Sequence, residues 1–218
     1  MAEKKAGEMK EKKTPMTGEE ISREIIRPTL VLFFCGFIVT AILAMVYQTT
    51  DPVIRASAAQ ERSASLQKVL PASDAFDEVL TPEMLAKEGF SVPGTVSAVY
   101  RGTAGGELAG YAIVVEPKGY GGKMNLIAGI DLHGAMTAVT LVAQNETPGL
   151  GSRASEPAFL GQYAGVSHND GLEVVKKAPK RKGDIQAMTG ATVTSRAVTR
   201  GIADALQMAA DLLEKEDR

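Results

Sequence analysis

Tryptophan is absent from the 218 residues, and cysteine occurs once, at Cys35. A single thiol excludes an internal disulfide and any metal site built from several cysteines. Histidine is nearly absent too: His133 and His168 stand in unrelated settings, so no His-rich metal centre is expected. An excess of positive charge is also missing. The 24 Lys and Arg against 26 Asp and Glu give a formal net charge of -2, which argues against nucleic acid as a partner, because its binders carry strong basic patches. No acid–base pair is evident, and no catalytic residue is assigned. With 22 glycines and no tryptophan, the composition suits a loop-rich α/β or α+β domain better than a helical bundle.

One long apolar run is present, residues 30–47, LVLFFCGFIVTAILAMVY. No charge interrupts it, Thr40 is its one strongly hydrophilic side chain, and its length reaches the threshold for a spanning helix. A cleaved signal peptide competes with this reading, since Ala56-Ser57-Ala58 has the form of a cleavage site. The run is longer than a usual signal core, a polar stretch precedes it, and the candidate site lies well beyond its end. An uncleaved anchor over 28–48 is therefore expected. The window 8–27 holds Lys10, Lys12, Lys13, Arg23 and Arg27, whereas 48–67 holds only Arg55 and Arg62. The more positive flank stays in the cytoplasm, which places 1–27 as a cytoplasmic tail, its first 20 residues disordered, and the C-terminal body on the extracytoplasmic side of a single-pass membrane protein. Cys35, mid-span, reads as a small packing residue.

Beyond the anchor, 51–70 has helical periodicity up to Pro71, and 82–88 is partly helical, so 49–94 reads as a helical linker region. The period then changes. TVSAVYR (95–101), LAGYAIVVEP (108–117), MNLIAGIDL (124–132) and MTAVTLVAQ (136–144) are short, rich in branched and aromatic residues, and separated by turn residues. His133 falls in the turn between the last two. A short helix is expected over 156–165, a strand over 172–177, a basic loop from Lys176 to Lys182, and a final helix over about 195–214 from the spacing of Val198, Ile202, Ala205, Leu206, Ala209 and Leu213. The fold class is α+β: an antiparallel-rich sheet with packed helices, occupying 95–218 and preceded by one transmembrane helix.

Three motifs carry chemistry. GYGGK (119–123) fails as a nucleotide-binding P-loop: Lys123 is followed by Met124, and then by a strand rather than a helix. Its glycines provide a tight turn or a close backbone approach. NETPGLGSR (145–153) is a shaped loop in which Glu146 and Thr147 are held extended before Pro148. It reads either as a structural turn or as a ligand contact, with Glu146, Thr147, Gly149 and Leu150 as candidates. TGATVTS (189–195) gathers hydroxyls before a helix. Thr194 or Ser195 could cap that helix. Capping leaves Thr189, Gly190, Ala191 and Thr192 unexplained, whereas a close-approach anion site at the positive helix end would use them.

The order GYGG, GID, ETPGLG and TGAT followed by a C-terminal helix, behind one N-terminal anchor, resembles the FMN-binding RnfG family of the Rnf electron-transport complex. That family is similar to the NqrC family of the Na⁺-translocating NADH:quinone reductase. The resemblance covers nearly the whole chain from residue 30. It implies covalent FMN joined by a phosphoester to the last threonine of TGAT, here Thr192, and attached by a flavin transferase. Thr189, Gly190, Ala191 and Thr194 would position the phosphate. It also implies the other Rnf subunits as partners, and electron relay between ferredoxin and NAD coupled to Na⁺ or H⁺ movement. The alternatives are the corresponding subunit of the quinone reductase and a membrane-tethered scaffold without flavin. One departure is visible: the family motif commonly has an acidic residue three positions before its first hydroxyl residue, and Gln186 stands there, with Asp184 the nearest acid.

Overall fold

The computed structural model describes residues 26–216; the tail expected over 1–27 lies outside them but for Ile26 and Arg27. The chain divides into two compact units, Met1–Ala58 and Ala59–Arg218. Helix α1 (Arg27–Val69) contributes to both. In the first unit, Thr29–Gln48 has a mean hydropathy of 2.6 and is long and apolar enough to cross a membrane. Its side chains, Cys35 included, are exposed in the chain by itself. The hydroxyl of Thr40 donates to the carbonyl of Gly36 at 2.8 Å. The one hydrophilic group of the run is thereby satisfied within its own helix, as an apolar medium demands.

The second unit is an α+β domain. Strands β1 (Ala75–Leu80), β2 (Val96–Ala104), β3 (Glu107–Val115), β4 (Asn125–Asp131) and β5 (Met136–Ala143) form an antiparallel meander in sequential order. Helix α2 (Pro82–Lys87) links β1 to β2, with Thr81 capping its first turn. After β5 come a 3₁₀ turn (Gly151–Ser155), the short helix α3 (Pro157–Leu160) and two further 3₁₀ turns. Strands β6 (Glu173–Val175) and β7 (Asp184–Gln186) pair in parallel, and α4 (Thr192–Glu216) ends the described chain.

Alternation along the strands explains the two faces of the sheet. Tyr111, Ile113 and Val115 of β3 and Leu126, Ala128 and Ile130 of β4 join one core cluster with Val198, Ile202, Leu206 and Ala209 of α4. The intervening Ala112, Val114 and Ile127 join Leu66 and Val69 from the end of α1 on the other face. Two glycines set the distance of approach of these helices. A methyl group on Gly129 would stand 2.1 Å from the carbonyl oxygen of Val69, an oxygen that also accepts the hydroxyl of Thr137. One on Gly201 would stand 2.9 Å from the Pro117 ring, so α4 lies close to the chain just before the GYGG turn.

The structure differs from the sequence expectation in three places. The region 49–94 contains an edge strand, β1, as well as helix. The segment 172–177 supplies a strand of three residues only, paired with the unforeseen β7. The final helix starts at Thr192 rather than near Ser195, because its first turn is committed to the hydrogen bonds described below and carries little of the apolar stripe.

Gly129→Ala is expected to lower stability by about 1–3 kcal/mol through overpacking against backbone that has no room to move. Chemical denaturation of the detergent-solubilised chain measures this; an unchanged midpoint would show that the end of α1 is not held there.

Candidate functional site

Four segments of the chain meet at the start of α4. The first is the turn between β3 and β4. The N–H of Gly119 donates to Gly122 O at 2.8 Å and that of Met124 to Pro117 O at 3.0 Å, so GYGGK is a hairpin turn. It is also a close approach: the N–H of Gly121 donates to Glu146 Oε1 at 3.0 Å. A methyl group on Gly121 would lie 2.1 Å from the carbonyl oxygen of Asn145.

Glu146 belongs to the second segment, the loop after β5, and is only 7% exposed. Its own N–H donates to Gln144 Oε1 at 2.8 Å. Its second carboxylate oxygen, Oε2, accepts the hydroxyl of Thr194 at 2.8 Å. The loop then turns through Gly149, which takes φ +76°, a value that favours glycine; its N–H donates to Ser152 Oγ at 2.9 Å. The third segment, the 3₁₀ turn, begins at Gly151, whose hydrogen faces Glu146: a methyl group there would lie 2.2 Å from Oε2.

The fourth segment, 188–195, resolves the surplus of hydroxyls. Gly190 takes φ +80°, and the chain turns so that the N–H of Ala191 donates to Met188 O at 3.0 Å. Ser195 is fully buried; its Oγ accepts the N–H of Met188 at 3.0 Å and donates to Ala191 O at 2.9 Å. Thr199 donates to Ser195 O at 2.9 Å and meets the hydroxyl of Tyr163 at 2.8 Å. Thr194, expected as a cap, is instead 1% exposed and bound to Glu146. Thr192 and Thr189 remain, and neither side chain has a hydrogen-bond partner among the described residues. The backbone N–H groups of Thr192, Val193 and Thr194 likewise have no acceptor there, as first-turn N–H groups of a helix do not.

These segments line a cleft of about 550 Å³, within the range of roughly 300–1,000 Å³ usual for small-molecule sites. Its walls are Glu146, Thr147, Leu150 and Gly151 of the loop, Gly190 to Thr194 at the helix start, and Tyr120 of the turn. Of the sequence candidates, the structure brings Glu146, Thr147, Leu150, Gly190, Ala191, Thr192 and Thr194 together in this cleft. Gly149 shapes the loop without lining it. Thr189 is exposed and borders a separate shallow groove with Gln186 and Gln162. Sequence reasoning missed Tyr120, Gly151 and Val193. Tyr120 and Val193 are 76% and 57% exposed, and Val193 falls off the apolar stripe of α4, a signal that was available.

This arrangement can be set beside known proteins. Residues 119–207 match the family model of the FMN-binding domain, and residues 16–69 match that of the RnfG N-terminal region. The RnfG-type subunit of the Na⁺-translocating ferredoxin:NAD⁺ oxidoreductase complex of Acetobacterium woodii is 35% identical over 82% of this chain and 88% of its own. The chain belongs to the RnfG family. The corresponding subunit of the proton-translocating ferredoxin:NAD⁺ oxidoreductase complex of Clostridium ljungdahlii, another member, is 33% identical over 88% of this chain and 95% of its own. The crystal structure of Shewanella oneidensis NqrC shares the fold, with a TM-score of 0.52 at 16% identity over 72% of this chain and 99% of that one. The FMN-binding match of this RnfG-family chain opens at the GYGG turn and spans every wall of the cleft.

The acid displaced from position 186 is employed elsewhere. Asp184 is 8% exposed and accepts the N–H groups of Lys180 and Arg181 at 3.0 and 3.1 Å and Arg181 Nε at 3.1 Å. It ties down the basic loop. The backbone N–H of Gln186 donates to Gln162 Oε1 at 2.7 Å, while its side chain is exposed. The backbone hydrogen bonds from Lys180 and Arg181, aided by the Arg181 charge, hold the Asp184 carboxyl below the usual range. A carboxyl lowered in the folded state stabilises it fully above the unfolded value of about 3.9, and that stability is lost as pH falls through the folded value. Asp184→Asn is therefore expected to destabilise the chain at pH 7 and to flatten the acid limb of its stability curve below about pH 4. Denaturation midpoints between pH 7 and pH 2 check this; parallel curves for both proteins would contradict it.

Proposed function

We propose that this chain is the flavin-carrying relay subunit of an Rnf-type complex, with FMN joined through its phosphate to Thr192. One observation carries the reading. Among the crowded hydroxyls of 189–199, that of Thr192 alone both lines the cleft and is left without a protein partner. The residues fit the group. The cleft has the required size, and Gly190 and Ala191 keep side-chain bulk away from the hydroxyl. The first turn of a 25-residue helix offers free N–H groups and a positive end to an anion.

When bound, the isoalloxazine supplies the redox chemistry, and the protein supplies position and polarity. The N–H groups of Thr192, Val193 and Thr194 would hold the phosphate charge. Leu150, Val193 and Tyr120 offer apolar surface to the ring, and the hydroxyl of Thr147 is free to hydrogen-bond a ring carbonyl. Gly149, Glu146 and Thr194 hold the surrounding backbone in place. Electron relay requires no proton donor from the chain.

The relatives from A. woodii and C. ljungdahlii are named as subunits of ferredoxin:NAD⁺ oxidoreductase complexes. This similarity over most of both chains supports the same setting here: electron relay between ferredoxin and NAD coupled to ion movement, beside the other subunits of the complex. It favours the Rnf assembly over the quinone reductase, whose NqrC subunit is matched in fold. A flavin transferase would attach the FMN. Thr29–Gln48 would anchor the chain in the cytoplasmic membrane as a single span, with residues 1–27 inside and the flavin domain, over 95–218, outside.

Thr192→Val, which keeps the shape and removes the oxygen, is expected to give a folded chain with no flavin fluorescence in a denaturing gel after co-expression with a flavin transferase. Fluorescence equal to wild type would sink the assignment. For topology, alkaline phosphatase fused after Arg218 should be active, since that enzyme works only outside the cytoplasm. Activity of a cytoplasm-dependent reporter there, with a silent phosphatase, would reverse the orientation.

A further inference from the structure

We propose that Glu146 is a positioning residue whose carboxylate ties the GYGG turn to the start of α4 and whose charge sets the midpoint potential of the flavin. The potential half of this proposal rests on the flavin reading above. Glu146 lines the cleft yet turns both carboxylate oxygens toward the protein: Oε1 accepts from Gly121 at 3.0 Å and Oε2 from Thr194 at 2.8 Å. It is 7% exposed and forms no ion pair among the described residues. Hydrogen-bond donors, one of them in the first turn of α4, therefore hold the buried carboxylate, with no Lys or Arg paired to it.

The packing is built for this group. A methyl group on Gly119 would stand 2.2 Å from Oε1, and one on Gly151 2.2 Å from Oε2. Glycine at both positions lets backbone close on either side of the carboxylate. Two consequences follow. Mechanically, the turn that carries Tyr120 and the helix start that carries Thr192 are bound to one side chain. Electrostatically, a negative charge in the wall with no paired cation opposes the arrival of an electron in the cleft.

Two substitutions separate the two roles. Glu146→Gln keeps an acceptor for Gly121 and removes the charge. Glu146→Asp keeps the charge and withdraws it from Gly121. In the full-length chain carrying covalent flavin, Glu146→Gln is expected to raise the midpoint potential, while Glu146→Asp stays closer to wild type and Glu107→Gln, an exposed charge change at the opposite end of β3 from the GYGG turn, leaves it unmoved. In the full-length chain made without flavin, the Gly121 amide should exchange its hydrogen roughly tenfold or more faster in Glu146→Asp, as expected for losing a hydrogen bond to a charged acceptor. In Glu146→Gln it should stay protected. A midpoint in Glu146→Gln equal to wild type overturns the electrostatic role, and unchanged Gly121 exchange in Glu146→Asp overturns the tie. A wild-type chain that never acquires flavin defeats the flavin reading and with it the potential half, while the exchange measurement still decides the tie.

Discussion

The buried carboxylate of Glu146 is the point on which the rest of the site depends. Three stretches of chain that have nothing in common in sequence, the GYGG turn, the ETPGLG loop and the first turn of α4, are joined through its two oxygens. A buried carboxylate is tolerable only when donors reach it, and here they reach it because glycines at 119, 121 and 151 leave no side chain in between. The cleft is what remains between these tied segments. The close approach of Gly201 to Pro117 acts in the same sense from below, seating α4 against the chain that leads into the turn.

The hydroxyl-rich start of α4 then becomes intelligible. Ser195 and Thr199 bind neighbouring backbone, and Thr194 binds Glu146, so each satisfies a buried polar group that would otherwise destabilise the fold. Thr192 is spared. Its place at the head of a long amphipathic helix combines an available oxygen with unpaired N–H groups, the combination that the proposed phosphate site requires.

Much of this was legible in the chain. Strands β2 to β5 were marked by branched residues, alternation and glycine-bearing turns, and α4 by its apolar stripe. Strand β1 was hidden because AFDEVL is short, acidic and irregularly paired at the sheet edge. Strand β7 was hidden because three residues carry no period. The motif residues could be named from sequence, but their division of labour could not. Whether Thr194 caps its helix or binds a carboxylate 48 positions away is decided by tertiary packing, and a single local window contains no trace of it. Two relatives of nearly equal identity, 35% and 33%, are named for different coupling ions, Na⁺ and the proton. Features shared with both therefore do not select the ion.

The central claim, that Thr192 is the residue that carries the flavin, is tested most directly by peptide mapping of the wild-type chain purified after co-expression with a flavin transferase. Tryptic cleavage after Lys182 and Arg196 releases the segment 183–196. Fragmentation of that peptide is expected to place one FMN phosphoester on Thr192. An unmodified peptide, or a flavin located on Thr189, Thr194 or Ser195, would contradict the account.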